Sequence, residues 1–189
     1  MHNQKLKYIE YLHPDQMNME FDKNYGQAFL TSSKFKELSP KTLLDAGCGN
    51  GQFGVNAVKD YNVEKVYSVD FASVCCGKII TNYPNIVYID ADIKKIPLPN
   101  KIVDYVTCFD VLEHLLPENI NDTFQEFRRL AKKGIITKIS YTKAGKSSPT
   151  TGENYHMTIK PKEWWISKIN EYFEEVEIYK QYILGYIKD

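Results

Sequence analysis

Glycines stand at every second position of Asp45-Ala46-Gly47-Cys48-Gly49-Asn50-Gly51, directly after an apolar run in a chain of 189 residues. That spacing lets backbone N–H groups approach a polar ligand closely where the chain turns into a helix N-terminus. Two ligand chemistries fit the segment. Gly49-Asn50-Gly51-Gln52-Phe53-Gly54 satisfies the dinucleotide-binding pattern, and Asp70 follows its first glycine by about 20 residues, where that pattern places an acid against a ribose. The other register puts Asp45 at the carboxyl-terminal rim of a strand, facing the ligand. A carboxylate there favours an ammonium group or a sulfonium centre and repels a pyrophosphate.

Other residues carry chemistry further along. Asp92, in Asp90-Ala91-Asp92-Ile93, is an acid that the dinucleotide pattern lacks. Glu113 and His114 offer acid–base or metal-binding groups. Neighbours on a helix diverge by about 100°, however, and no second histidine has a useful spacing, so no metal site is expected. His156, in Glu153-Asn154-Tyr155-His156-Met157, suits a general base that accepts a proton from a substrate hydroxyl, with Tyr155 or Glu113 as the alternative carrier. Lys138, Lys143 and Lys146 lie in a stretch without an acid between Ala131 and Thr151 and suit an anionic small molecule. Arg128, Arg129, Lys132 and Lys133 read as solvated cations complementing a helix C-terminus. Cys48, Cys75, Cys76 and Cys108 form no spaced pairs, which predicts reduced thiols rather than disulfides or a zinc knuckle.

The elements that position these groups alternate between β-rich and helical patterns. Strands are predicted at Thr42–Ala46, Lys65–Asp70, Ile86–Ile89, Tyr105–Phe109 and Ile135–Tyr141, and helices over Gln52–Tyr61, near Ser73–Asn82 and between Pro117 and Gly134. In the third helix Ile120, Phe124, Phe127 and Leu130 share one face, and Gly134 reads as its stop. The longest loop, Thr142 to about Thr158, favours function. Pro161 opens a last helix with Trp165 and Ile169 on its core face, which leaves Trp164 to edge a pocket. The runs Glu175–Lys180 and Tyr182–Ile187 are so close that only antiparallel pairing connects them. Residues 1–40, with Tyr25, Phe29, Phe35 and Leu38, read as helical material packed outside the sheet.

Asp45-Ala46-Gly47-Cys48-Gly49-Asn50-Gly51 resembles the first motif of class I S-adenosylmethionine-dependent methyltransferases, and the similarity continues in order over residues 41–141. The resemblance implies a Rossmann-like, doubly wound α/β fold whose seven-stranded, mostly parallel sheet ends in an antiparallel C-terminal hairpin. It implies one domain over 1–189, a helical cap over 1–40 and a cofactor-binding core over 41–189, with S-adenosylmethionine as cofactor and S-adenosylhomocysteine as product. By the same resemblance Asp45, Gly47, Cys48, Gly49, Asn50 and Gly51 hold the methionine part, Asp70 the ribose hydroxyls, and Asp92 with Ile93 the adenine, against which Phe71 packs. Phe109-Asp110-Val111-Leu112-Glu113-His114-Leu115 resembles the segment that lies along the methionine end, which brings Phe109, Asp110 and His114 to the cofactor. Tyr25 is counted with these cofactor residues.

Composition narrows the partner. Lys+Arg 24 against Asp+Glu 24 leaves no net charge, so no global field draws the chain to nucleic acid or anionic lipid. Phe109-Asp110-Val111-Leu112 is not the Asn/Asp-Pro-Pro-aromatic motif of exocyclic-amine methylation, and there is no Pro-Cys nucleophile. With no signal-peptide core and no membrane span in the sequence, the expectation is a cytoplasmic enzyme methylating a hydroxyl or carboxylate oxygen of a sugar or other polar metabolite. Its rivals are a non-catalytic module that binds the same cofactor and an NAD-dependent oxidoreductase.

Overall fold

The computed structural model of the protein describes residues 26–72, 82–149 and 151–188. Runs rich in β-branched and aromatic residues form the parallel strands β1 (Thr42–Ala46), β2 (Lys65–Asp70), β3 (Ile86–Asp90), β4 (Val103–Phe109) and β5 (Ala131–Lys138). The closing strands β6 (Glu175–Tyr179) and β7 (Tyr182–Tyr186) form a hairpin, with β7 antiparallel to both β5 and β6. The sheet order is β3-β2-β1-β4-β5-β7-β6. Strand order reverses between β1 and β4, and open α/β sheets take ligands at the carboxyl ends of strands beside such a reversal.

Successive residues of a strand face opposite sides, so one sheet serves two cores. Leu43, Tyr105, Phe109, Ile136 and Leu184 pack with Phe29, Phe35 and Phe53 on one face. Leu44, Val106, Cys108, Ile135 and Ile183 pack with Phe124, Phe127, Trp165 and Ile169 on the other. The first face is covered by α1 (Gln27–Leu30), α2 (Ser33–Leu38) and α3 (Gln52–Asp60), the second by α4 (Ile120–Leu130) and α5 (Lys162–Asn170). Ser32 starts α2 by accepting a hydrogen bond from the Phe35 N–H at 3.1 Å, a side-chain cap for an otherwise orphaned donor. Ile120, Phe124, Phe127 and Leu130 are all buried, as their spacing predicts. Among the described residues no helix is long and apolar enough to cross a membrane.

β1 and β2 have the bounds expected from sequence, and the C-terminal runs pair as the short connection required. Gly134 does not stop a helix. α4 ends at Leu130 and β5 starts at Ala131, which places Gly134 inside the strand, in register with Tyr186. A Cβ on Gly134 would run into the Gly185 carbonyl oxygen, so the glycine permits close approach of β7 rather than a turn. Lys132 and Lys133 therefore lie exposed on β5 and not at a helix end. The two arginines are not merely solvated either. Arg128 pairs with Glu174 at 2.8 Å, and Arg129 binds Glu126 and the carbonyls of Ile96 and Leu98, fastening the segment before β4 to α4. The helix expected near 73–82 lies almost wholly outside the described residues, as do Tyr25, Cys75 and Cys76. Cys48 and Cys108 are buried and neither is in a disulfide.

Gly134→Ala is expected to destabilise the fold by about 1–3 kcal/mol, the usual cost of forcing an extra carbon into packed structure. A urea melt checks this through a lower midpoint at unchanged slope; an unchanged midpoint refutes the close-approach explanation.

Candidate active site

The glycine loop follows β1 at the strand-order reversal, and its backbone is shaped by contacts with β2. The N–H groups of Gly47 and Cys48 both donate to the Val69 carbonyl, at 2.8 and 3.0 Å. Gly47 has φ 75°, and a Cβ there would strike the Val111 side chain, so only glycine fits. The Gly49 N–H donates to Asp70 Oδ2 at 3.0 Å, while Asp70 Oδ1 accepts from the Ala72 N–H at 2.9 Å. Asp70 thus ties the loop to the end of β2. Burial raises its pKa, against the effect of the backbone N–H groups of Ala72, Gly49 and Phe71. Asn50 closes the loop by accepting from the Gln52 N–H, and Cys48 is buried.

Asp45, the penultimate residue of β1, is 4% exposed and its Oδ2 has no hydrogen-bond partner. Burial, and then the charge of Asp70, push its pKa up to about 7, while a Thr107 hydrogen bond works in the opposite direction. The rim carboxylate inferred from sequence is therefore at the rim, buried and uncompensated. Asp92 lies beyond β3, where its Oδ1 accepts from the Lys94 N–H at 3.0 Å and its other oxygen lies 3.5 Å from Lys94 Nζ. Phe71 is half-buried, and Ile93 belongs to the core.

At the end of β4, Phe109 packs edge-on against Phe53 and Tyr182. Asp110 receives Lys138 Nζ at 2.6 Å, so Lys138 is already engaged by a carboxylate, whereas Lys143 and Lys146 are exposed on the loop after β5. Glu113 is fully buried. Its Oε1 accepts from the Ser140 N–H at 3.0 Å, its Oε2 has no partner, and burial lifts its pKa to about 7. Its carbonyl accepts from the N–H groups of Met157 and Thr158, which docks the far end of the long loop onto the turn at Leu112–His114.

That docking brings His156 to His114, with ring centroids 4.8 Å apart and planes nearly perpendicular. A carbonyl can only accept, so both rings donate from Nδ1: His114 to the Tyr155 oxygen at 3.0 Å, His156 to the Thr142 oxygen at 2.5 Å. Burial and then His156 lower the His114 pKa to about 4. Although Glu113 and His114 are neighbours in a 3-10 turn, their ligand atoms lie within 4.8 Å of each other and of His156, closer than the expected divergence implied. Tyr155 is buried and contributes its carbonyl to this corner. Asn154, unremarked in the sequence, holds the loop shut: its side chain accepts from the N–H groups of Ala144 and His156 and donates to the Ala144 carbonyl. Only a polar residue two positions before a histidine hinted at this. Trp164 carries Lys160 and Lys168 over its ring, while Trp165 is wholly buried.

Residues 43–134 match the family model described as a methyltransferase domain. Over those residues the chain is similar to the methyltransferase family. The glycine loop, residues 47–51, lies within the matched stretch. A Mycobacterium tuberculosis protein named a probable S-adenosylmethionine-dependent methyltransferase is 31% identical over 85 residues, 43% of this chain. The match spans only 30% of that relative's length. A Pyrococcus horikoshii protein of known structure shares the fold at TM-score 0.65 and 21% identity, over 82% of this chain and 87% of its own. Magnesium protoporphyrin IX methyltransferase from Synechocystis, solved with bound S-adenosylhomocysteine, does so at TM-score 0.63 and 17% identity, over 85% and 79%.

A buried carboxyl whose folded pKa lies above its unfolded value favours folding fully at low pH and loses that contribution as pH rises towards the folded pKa. With Asp45 at about 7, the ligand-free protein is expected to lose on the order of 2–3 kcal/mol between pH 5 and pH 8 from this group. Denaturant melts of the wild type and Asp45→Asn check it: the variant should show a visibly shallower pH dependence, and parallel curves refute the assignment.

Proposed function

We propose that the chain transfers the methyl group of S-adenosylmethionine to a hydroxyl or carboxylate oxygen of a small polar metabolite. The observation that carries this reading is the buried, unpartnered Asp45 Oδ2 beside a glycine loop tied to Asp70. A buried carboxylate in that state calls for a cationic partner, and the cofactor's ammonium group is one. Gly47, Cys48, Gly49, Asn50 and Gly51 line the same turn. Both Asp70 oxygens already accept from backbone N–H groups, and a carboxylate's two oxygens retain acceptor capacity for a ribose hydroxyl. Asp92, Ile93 and Phe71 serve the adenine, and Phe109, Asp110 and His114 the methionine end.

The cofactor supplies an activated methyl group on a sulfonium that leaves as a neutral thioether. The protein's share is to align the acceptor oxygen with that carbon and to exclude water. His156, Glu113 and Tyr155 meet at the corner where the acceptor's proton must go, and His156 Nε2 is the lone-pair nitrogen. Exposed Lys143 and Lys146 on the adjoining loop support an anionic acceptor.

Calorimetric titration with S-adenosylhomocysteine and, separately, NAD tests the reading. The first is expected to bind and to weaken about ten- to a hundredfold in Asp70→Ala, the loss of a hydrogen bond to a charged group. NAD binding alone overturns the proposal. Binding of S-adenosylhomocysteine without methyl transfer to any of a panel of hydroxylated and carboxylated metabolites makes the chain a binding module.

A further inference from the structure

Glu113 and His156, together with the neighbouring His114, form a cluster of titratable groups whose convergence cofactor binding alone leaves unexplained. Their ligand atoms lie within 4.8 Å of one another, a grouping that stands out among the described residues. Each imidazole gives its Nδ1 proton to a backbone carbonyl, Tyr155 for His114 and Thr142 for His156. That second contact fixes the tautomer with the lone pair on Nε2 and locks the ring, as metal-ligating histidines require. Glu113 is held in the same way: Oε1 on the Ser140 N–H, and Oε2 fully buried without a partner. Leaving a carboxylate oxygen in that state is costly unless a cation meets it. Among the described residues no lysine or arginine is bonded to it; the nearby Lys138 is spent on Asp110.

We propose that Glu113, His114 and His156 form a binding site for a divalent transition-metal ion of the zinc class. Two imidazoles and one carboxylate, with a fourth position open, are the donor set of catalytic zinc, whereas magnesium and calcium take oxygen ligands. A tetrahedral ion at ~2.1 Å from each donor needs them ~3.4 Å apart, so the three side chains, which already offer ligand atoms within 4.8 Å of one another, draw together on binding.

The site deepens the methyltransferase reading and rests on it, because the fourth position takes the acceptor oxygen. Coordination lowers the pKa of that hydroxyl. The acceptor oxygen then gives its proton to water and bonds the methyl carbon, whose bond to sulfur breaks with the electron pair remaining on sulfur. His156 acts in this scheme as a ligand, and water replaces it as the base.

The test uses the full chain, stripped with a chelator and titrated calorimetrically with zinc chloride in the absence of any S-adenosyl compound. One equivalent is expected to bind. His156→Ala and Glu113→Gln are each expected to weaken it by about a hundredfold or more, given that even outer-shell changes cost 10- to 100-fold. Cobalt(II) added in place of zinc should give the visible bands of a tetrahedral site in the wild type and lose them in both variants. Titration of each variant with S-adenosylhomocysteine shows that it is folded. No zinc binding, or zinc binding unchanged in both variants, overturns the site. S-adenosylhomocysteine binding without zinc binding leaves the methyltransferase reading standing alone, and zinc binding without it keeps the site and removes its assignment to methyl transfer.

Discussion

The pairing of β1 with β2 on one side and β4 on the other governs everything functional in this molecule. It brings the carboxyl ends of three strands to one edge, where helices cannot cover the reversal in strand order. Asp45, the glycine loop and Asp70 meet there because β1 and β2 pair in parallel up to Ala46 and Val69. Phe109 and Asp110 reach the same edge at the end of β4.

That edge holds carboxylates in an environment that opposes their charge. Asp45 and Glu113 each leave one buried oxygen without a partner, and both titrate near neutrality because burial dominates. Such groups work against the stability of the ligand-free fold, and local departures from full polar satisfaction concentrate at functional sites. The rest of the chain compensates with two well-filled cores, in which Phe29, Phe124, Phe127 and Trp165 are completely buried. Structural arginines add to this by fastening segments that have no regular hydrogen bonding of their own.

The long loop after β5 is rigidified by polar contacts rather than by a core. Asn154 bridges Ala144 and His156, and the Glu113 and Leu115 carbonyls accept from Met157 and Thr158. These bonds bring His114 and His156, far apart in the chain, into ring contact.

The sequence by itself determined the strand set and the glycine turn after β1, because those depend on local periodicity and on backbone that glycine adopts most readily. β1 was legible to its last residue from Thr42-Leu43-Leu44-Asp45-Ala46, and Gly47 from the turn that it makes. Tertiary structure decided the rest. Gly134 looked like a helix stop until the Gly185 backbone was placed beside it, and Arg129 looked like a solvated cation until the Ile96 and Leu98 carbonyls were seen to accept from it. Glu113 and His114 were read as diverging from their spacing alone, whereas their side-chain ends and a histidine from a distant loop meet in space. Convergence of that kind depends on loop closure and backbone hydrogen bonds between segments far apart in the chain, and no local pattern of residue types encodes it.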